Sequence, residues 1–156
     1  MQHVLFVCLG NICRSPMAEA IFNQLIKERH LTDQFTAASV ATSPEEEGNH
    51  PHPGALKTMR AHGLDASQHR SRPITAADFA WADVIITMDH SNVYNLQRLA
   101  PTDADREKIK LCLDILPGRA GEAIDDPWYT HKFELTYQEL AEALPVWLDQ
   151  LEQAAQ

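Results

Sequence analysis

The sequence predicts a doubly wound α/β fold, a four-stranded parallel sheet flanked by helices on both faces. Two observations carry that prediction. Short, continuous apolar runs rich in β-branched residues, Val4–Val7 and Val84–Thr87, have the pattern of strands buried on both faces. Between such runs, apolar residues recur at helical spacing, so the order along the chain is βαβα.

The elements follow in chain order. Val4–Val7 is the first strand, and Ala18, Ile21, Phe22, Leu25 and Ile26 mark the inner face of the first helix. Phe35–Val40 is a weaker strand, and Ala55, Leu56, Met59 and Leu64 outline a second helix. Helices are predicted at Ala76–Trp81 and Ser91–Leu99, around the strand Val84–Thr87, with Ile109–Leu113 as the fourth strand. The last helix, Glu134–Leu151, carries Leu140, Leu144, Trp147, Leu148 and Leu151 on one face, with Pro145 expected to kink or divide it. Ser43–Gly54 and Pro117–His131 read as long loops. Ligands of such a fold gather at the carboxyl ends of the strands.

Length and composition narrow the function. At 156 residues the chain fits one domain, 1–156, with a core large enough to dispense with disulfides and metal. No run reaches the length of a membrane span, and no basic segment precedes Val4–Val7, so a cytoplasmic protein without membrane partners is expected. Three cysteines, Cys8, Cys13 and Cys112, are too few and of the wrong parity for a secreted disulfide framework. A net charge of -9 argues against a general nucleic-acid binder, because backbone phosphates are held by clustered Lys and Arg. Phosphate, if handled, must be held in one local pocket.

The segment VCLGNICRSP, Val7–Pro16, supplies that pocket. Cys8 falls at the expected end of the first strand. Pro16 is expected at the first helical position, with Ser15 as N-cap. Gly10 and Asn11 tolerate left-handed backbone, so the turn from Leu9 to Ser15 can curl its amides into a nest around an oxyanion. Arg14 adds a planar fork that pairs two phosphate oxygens at once. The same positive environment favours the thiolate of Cys8, an anionic nucleophile beneath a bound phosphorus. Competing motifs fit worse: there is no Lys-Ser or Lys-Thr ending for a nucleotide P-loop, and Cys8 with Cys13 lacks common zinc-site spacing. No metal or cofactor is expected. The Asp125-Asp126-Pro127 run offers two carboxylates as general acid, and spacing alone does not choose between them.

These residues resemble the signature loop of the low-molecular-weight protein tyrosine phosphatases. The resemblance extends along nearly the whole chain, through Ser39 in ASVATS, His69 and Arg72 in QHRSR, Met88–Asn92 in MDHSN, and Asp126–Tyr129 in DPWY. It implies hydrolysis of phosphotyrosine in proteins through a cysteinyl-phosphate on Cys8, with inorganic phosphate as product. By resemblance, Leu9, Gly10, Asn11, Ile12, Cys13, Arg14 and Ser15 bind phosphate, and Asp126, the aspartate next to the proline, is the acid. Asn11, Ser15, Ser39 and His69 are implied to brace the loop, with Ser15 donating a hydrogen bond to the Cys8 sulfur. Leu9, Ile12, Trp128 and Tyr129 are implied pocket walls. Glu45 stands about where several relatives carry an aromatic wall, and Trp128 where many carry tyrosine. Relatives acting on phosphoarginine carry threonine where Ile12 stands, so Ile12 points to tyrosine.

The implied partner is a tyrosine-phosphorylated protein, a bacterial tyrosine kinase being one candidate. The arsenate reductases are similar in fold and loop, but their relay uses two later cysteines and only Cys112 follows the loop here. A phosphate-binding module without turnover would be expected to lack the nucleophile or the acid. Resemblance also suggests a peroxide-induced link between Cys8 and Cys13. Arg72 and Asp89 read as landmarks or as surface ion-pair members. The remaining histidines show no ligand spacing, and His50 and His52 read as decoration of a loop.

Overall fold

The computed structural model describes residues 1–155; Gln156, the last residue of the expected domain, lies outside the described residues. Four parallel strands, β1 (Gln2–Cys8), β2 (Phe35–Ala41), β3 (Val84–Thr87) and β4 (Ile109–Leu111), form one sheet in the order β2-β1-β3-β4. The predicted architecture is present. β1 is flanked on both sides, Cys8 being in register with Ala41 of β2 and Val7 with Thr87 of β3. The chain therefore winds away from β1 in one direction through β2 and in the other through β3, the topological switch point at which α/β sheets bind ligands.

Alternate residues of β1 feed two cores. Val4 and Phe6 pack under α1 (Arg14–Glu28) and α7 (Phe133–Ala154), against Met17, Phe22, Leu140 and Leu144. Leu5 and Val7 face the other way, toward Phe79 of α3 (Ala76–Trp81) and Leu96 of α4 (His90–Leu99). Val4 to Val7 have no exposed surface, which is why the run is apolar throughout rather than alternating.

Several boundaries differ from the sequence-based expectation. α1 begins at Arg14, with Cys13 in the capping position and no side-chain cap. Ser15 and Pro16 are thus inside the first turn, not at its edge. The Ser15 hydroxyl is engaged with Cys8 and Asn11 instead, and proline is tolerated there because first-turn N–H groups need no helical acceptor. The loop expected to run to Gly54 ends earlier, since α2 spans Pro53–Ala61 with Pro53 opening it and the His52 side chain capping it. Ile109–Leu113 is strand only as far as Leu111; Cys112–Ile115 turns into a 3-10 helix.

Two short helices were not anticipated, α5 (Asp103–Glu107), capped by Thr102, and α6 (Pro127–Thr130), capped by Asp126 inside the second long loop. Both are too short for apolar periodicity to register. Pro145 does not divide α7, which runs unbroken through it. Among the described residues no helix is long and apolar enough to cross a membrane.

Candidate active site

The loop leaving β1 brings Cys8, Asn11 and Ser15 together. Cys8 is the last residue of the strand and 3 % exposed. Asn11 then takes a left-handed backbone, φ 57°, a conformation asparagine tolerates better than most side chains. Its own N–H returns to the Cys8 sulfur at 3.3 Å, and Ser15 Oγ lies 3.0 Å from the same sulfur. Gly10, expected to share the left-handed turn, stays at ordinary φ; a Cβ there would stand 3.3 Å from Glu46 Cγ.

Asn11 is fully buried and uses its whole amide. Nδ2 donates to Ser15 Oγ at 2.7 Å and to Ser39 Oγ at 3.0 Å, while Oδ1 accepts from the Arg72 N–H at 3.3 Å. Because Asn11 occupies a lone pair of Ser15, the serine proton is left to point at Cys8. The Ser39 hydroxyl donates in turn to Glu19 Oε1 at 2.8 Å. His69 Nε2 meets the Asn11 carbonyl at 3.1 Å, and Ser71 donates to the Gly10 carbonyl at 2.7 Å. All four expected supports, Asn11, Ser15, Ser39 and His69, therefore meet the loop. Glu19 and Ser71 join them, and lone polar residues of this kind give no spacing signal in a sequence.

Arg14 is buried, 2 % exposed, which demands anionic or polar partners. Nη1 donates to Asp89 Oδ2 at 2.7 Å and to the Ile124 carbonyl at 2.8 Å, and Nη2 lies 3.5 Å from Asp126 Oδ2. Burial works against the guanidinium charge, but the neighbouring Cys8, Asp89 and Asp126 outweigh it and hold the pKa above its ordinary value. Nε is buried without a protein acceptor. Such an orphan is costly unless it serves an anion. Asp89, an ion-pair candidate on sequence grounds, is thus the anchor of Arg14 and also caps α4 by accepting from Asn92. Arg72 instead pairs twice with Asp78, at 2.8 Å each, away from the loop.

Asp126 reaches the site from the far side. Its Oδ1 accepts from the Trp128 N–H at 3.0 Å, fixing the carboxylate while Oδ2 faces Arg14. Asp125 is not among the residues lining the cavity. That cavity, of about 140 Å³, has Cys8 and Cys13 among its lining residues with Leu9, Gly10, Ile12, Ser43, Glu45, Glu46, Asp126, Trp128 and Tyr129. Leu9, Ile12, Glu45, Trp128 and Tyr129, the walls implied by the resemblance, thus border one cavity. Trp128 is 47 % exposed and Tyr129 73 %, so the pocket is shaped by aromatic faces that stand in solvent. Cys13 is raised well above the usual thiol range by burial, then by the charges of Cys8 and Asp126. Cys8, Cys13 and Cys112 are all free.

The His52 backbone N–H donates to the Ile12 carbonyl at 2.8 Å, and its ring lies against Trp128 and Phe133. The expectation that His52 merely decorates a loop is therefore corrected. His50, by contrast, is exposed and meets Arg70 and the Ser67 carbonyl.

A buried cup for an oxyanion at the carboxyl end of the central strand, with a carboxylate opposite a thiol, defines the class: a phosphate-handling α/β enzyme. Comparison with known proteins makes this specific. The sequence profile of the low molecular weight phosphotyrosine protein phosphatases matches residues 3–156. The pig protein of that description is 38% identical over 153 residues, 96% of each chain. The crystal structure of YfkJ from Bacillus subtilis superposes with a TM-score of 0.95 at 35% identity, covering 100% of this chain and 98% of that one. A Drosophila arginine phosphatase structure gives a TM-score of 0.88 at 33% identity over 97% and 98% of the two chains. The chain belongs to the low molecular weight phosphotyrosine protein phosphatase family. It is a protein-tyrosine phosphatase, a phosphoric monoester hydrolase acting on phosphoproteins.

Proposed function

We propose that residues 1–156 act as one domain that hydrolyses phosphotyrosine in proteins through a cysteinyl-phosphate on Cys8, releasing tyrosine and inorganic phosphate. The observation that carries this reading is the meeting of Cys8 Sγ, the Asn11 N–H and Ser15 Oγ beneath a buried guanidinium whose Nε has no protein acceptor. A phosphoryl group set in the Leu9–Ser15 turn has its three equatorial oxygens held by loop amides and Arg14. Sγ attacks phosphorus in line, and the S–P bond forms as the O–P bond breaks. Asp126 delivers its proton to the departing phenolate. In the second step Asp126 takes a proton from water, whose oxygen displaces the Cys8 thiolate and releases phosphate. Ser15 steadies that thiolate in both steps. Asn11, Ser39 and His69 fix the cup beforehand, so little reorganisation accompanies charge movement.

The walls supply selectivity. Leu9, Ile12, Trp128 and Tyr129 line the cavity with Cys8 and suit the two faces of a phenyl ring, which favours phosphotyrosine over a phosphorylated side chain without one. Ile12, lacking a hydroxyl, gives a guanidino nitrogen no partner, which favours tyrosine over phosphoarginine. Glu45 forms part of the rim. We place this activity in the cytoplasm, where three free thiols stay reduced. A bacterial tyrosine kinase is one candidate substrate.

The test is hydrolysis of p-nitrophenyl phosphate and of phosphotyrosine and phosphoarginine peptides. Turnover abolished by Cys8→Ser, a phosphorylated Cys8 trapped in Asp126→Ala, and faster cleavage of phosphotyrosine support the reading. Faster cleavage of phosphoarginine overturns the substrate assignment, and residual turnover in Cys8→Ser overturns the nucleophile.

A further inference from the structure

His52, just before α2, takes no part in the proposed chemistry, yet its ring packs on Trp128 and its backbone holds the Ile12 carbonyl. The His52 ring stacks on Phe133, centroids 5.0 Å apart and planes 26° apart. It meets Trp128 edge to face, centroids 5.5 Å apart at 83°. Its backbone N–H holds the Ile12 carbonyl at 2.8 Å, and its Nδ1 accepts the Gly54 N–H at 2.9 Å, capping α2. The acceptor role fixes the tautomer, with the proton on Nε2. Glycine at position 54 lets the ring lie close, because a Cβ there would run into Phe133 unless that ring shifted.

Trp128 is the wall residue that the His52 ring meets. It sits in a four-residue helix and is half-exposed, while its backbone is tied to Asp126. A tryptophan free to swing is a poor wall, since each substrate binding event must then immobilise it. The imidazole, itself pinned at Nδ1, at its backbone and on Phe133, supplies a lateral contact to Trp128.

We propose that His52 is a positioning residue for aryl-phosphate specificity: it clamps Trp128 against the mouth of the pocket and links that wall to the phosphate loop through Ile12. This rests on the reading of Trp128 as a substrate wall. His52 touches no reacting atom. Its contribution lies in the affinity for the aryl group, not in the affinity for phosphate.

The experiment compares His52→Asn, which keeps a capping acceptor but removes the ring, with His52→Phe, which keeps a ring but removes the acceptor. Each is made in the native sequence and with Trp128→Ala. The readouts are kcat and KM for p-nitrophenyl phosphate and a phosphotyrosine peptide, the inhibition constant of inorganic phosphate, and tryptophan emission. Trp128→Ala alone must raise KM for the peptide with phosphate inhibition unchanged; if it does not, the wall reading fails and this proposal with it. Given that result, His52→Asn is expected to raise KM about three- to tenfold, the loss of one edge-to-face aromatic contact, with phosphate inhibition and kcat nearly unchanged. It should shift tryptophan emission to the red, and both effects should vanish in the Trp128→Ala background. His52→Phe should restore KM. A KM effect of His52→Asn that persists without Trp128, a matching loss of phosphate affinity, or no change in KM and emission each overturns the assignment.

Discussion

Asn11 concentrates more of the site than any other single residue. It is buried, left-handed, and bonded to Ser15, Ser39 and Arg72 through its amide. Asn11→Ala should therefore cost about 2–4 kcal/mol in urea unfolding, from strained backbone and stranded hydroxyls, and should also lower kcat as the cup loosens. Unchanged kcat would show that the amide braces the fold but not the chemistry. Asp126→Ala is expected to lower kcat by about 10²–10⁴-fold on phosphotyrosine and, because the same carboxylate activates water in the second step that all substrates share, on p-nitrophenyl phosphate as well. Inhibition by inorganic phosphate should be retained. The sequence made the Cys8–Ser15 turn legible because six kinds of local information agree over nine residues: strand, cysteine, glycine, arginine, serine and proline. Glu19, Ser71 and His52 were illegible for the opposite reason. Each is an ordinary polar residue whose role comes from a partner far along the chain, and no spacing encodes such a meeting.

At the scale of elements, the junctions carry most of the specificity. The Thr75–Asp78 capping box opens α3, and Asp78 also receives both donors of Arg72, the residue whose N–H holds Asn11. Burial disfavours the Asp78 charge, but bonds from Arg72 and Thr75 prevail and keep its pKa below the usual carboxylate value. A lowered carboxylate stabilises the fold fully above the pH at which the unfolded side chain ionises. That stabilisation is lost as pH falls through the folded value. Asp78→Asn should flatten the decline of stability in acid, measured by urea midpoints from pH 7 to pH 3.

Gly54 gives a second test. In an open helix Gly→Ala gains about 1 kcal/mol, yet here the added methyl meets Phe133, and Gly54→Ala should instead lose about 1–3 kcal/mol. The strands and long helices were legible because burial on both faces or one face writes a periodic pattern. The short helices α5 and α6, and the early start of α1, were not, since a single turn is decided by caps and tertiary bonds.

For the whole molecule, the three thiols divide into two populations. Cys8 and Cys13 border the cavity, whereas Cys112 is fully buried beneath Trp147, whose indole donates to its carbonyl at 2.8 Å, and burial pushes its pKa up to about 12. Native protein treated with iodoacetamide should label at Cys8 first and at Cys112 only on unfolding, as followed by peptide mass spectrometry. Early labelling of Cys112 would mean that the α7 side of the core opens well below the global transition.

The position of β1 between β2 and β3 has a final consequence. The Leu9–Ser15 turn hangs from an internal strand, with neighbours on both edges and a core on each side. A copy that frays in part has no reserve of reduced competence: hydrolysis and circular dichroism should fade at one urea concentration. Damaged enzyme is then silent rather than sluggish or indiscriminate.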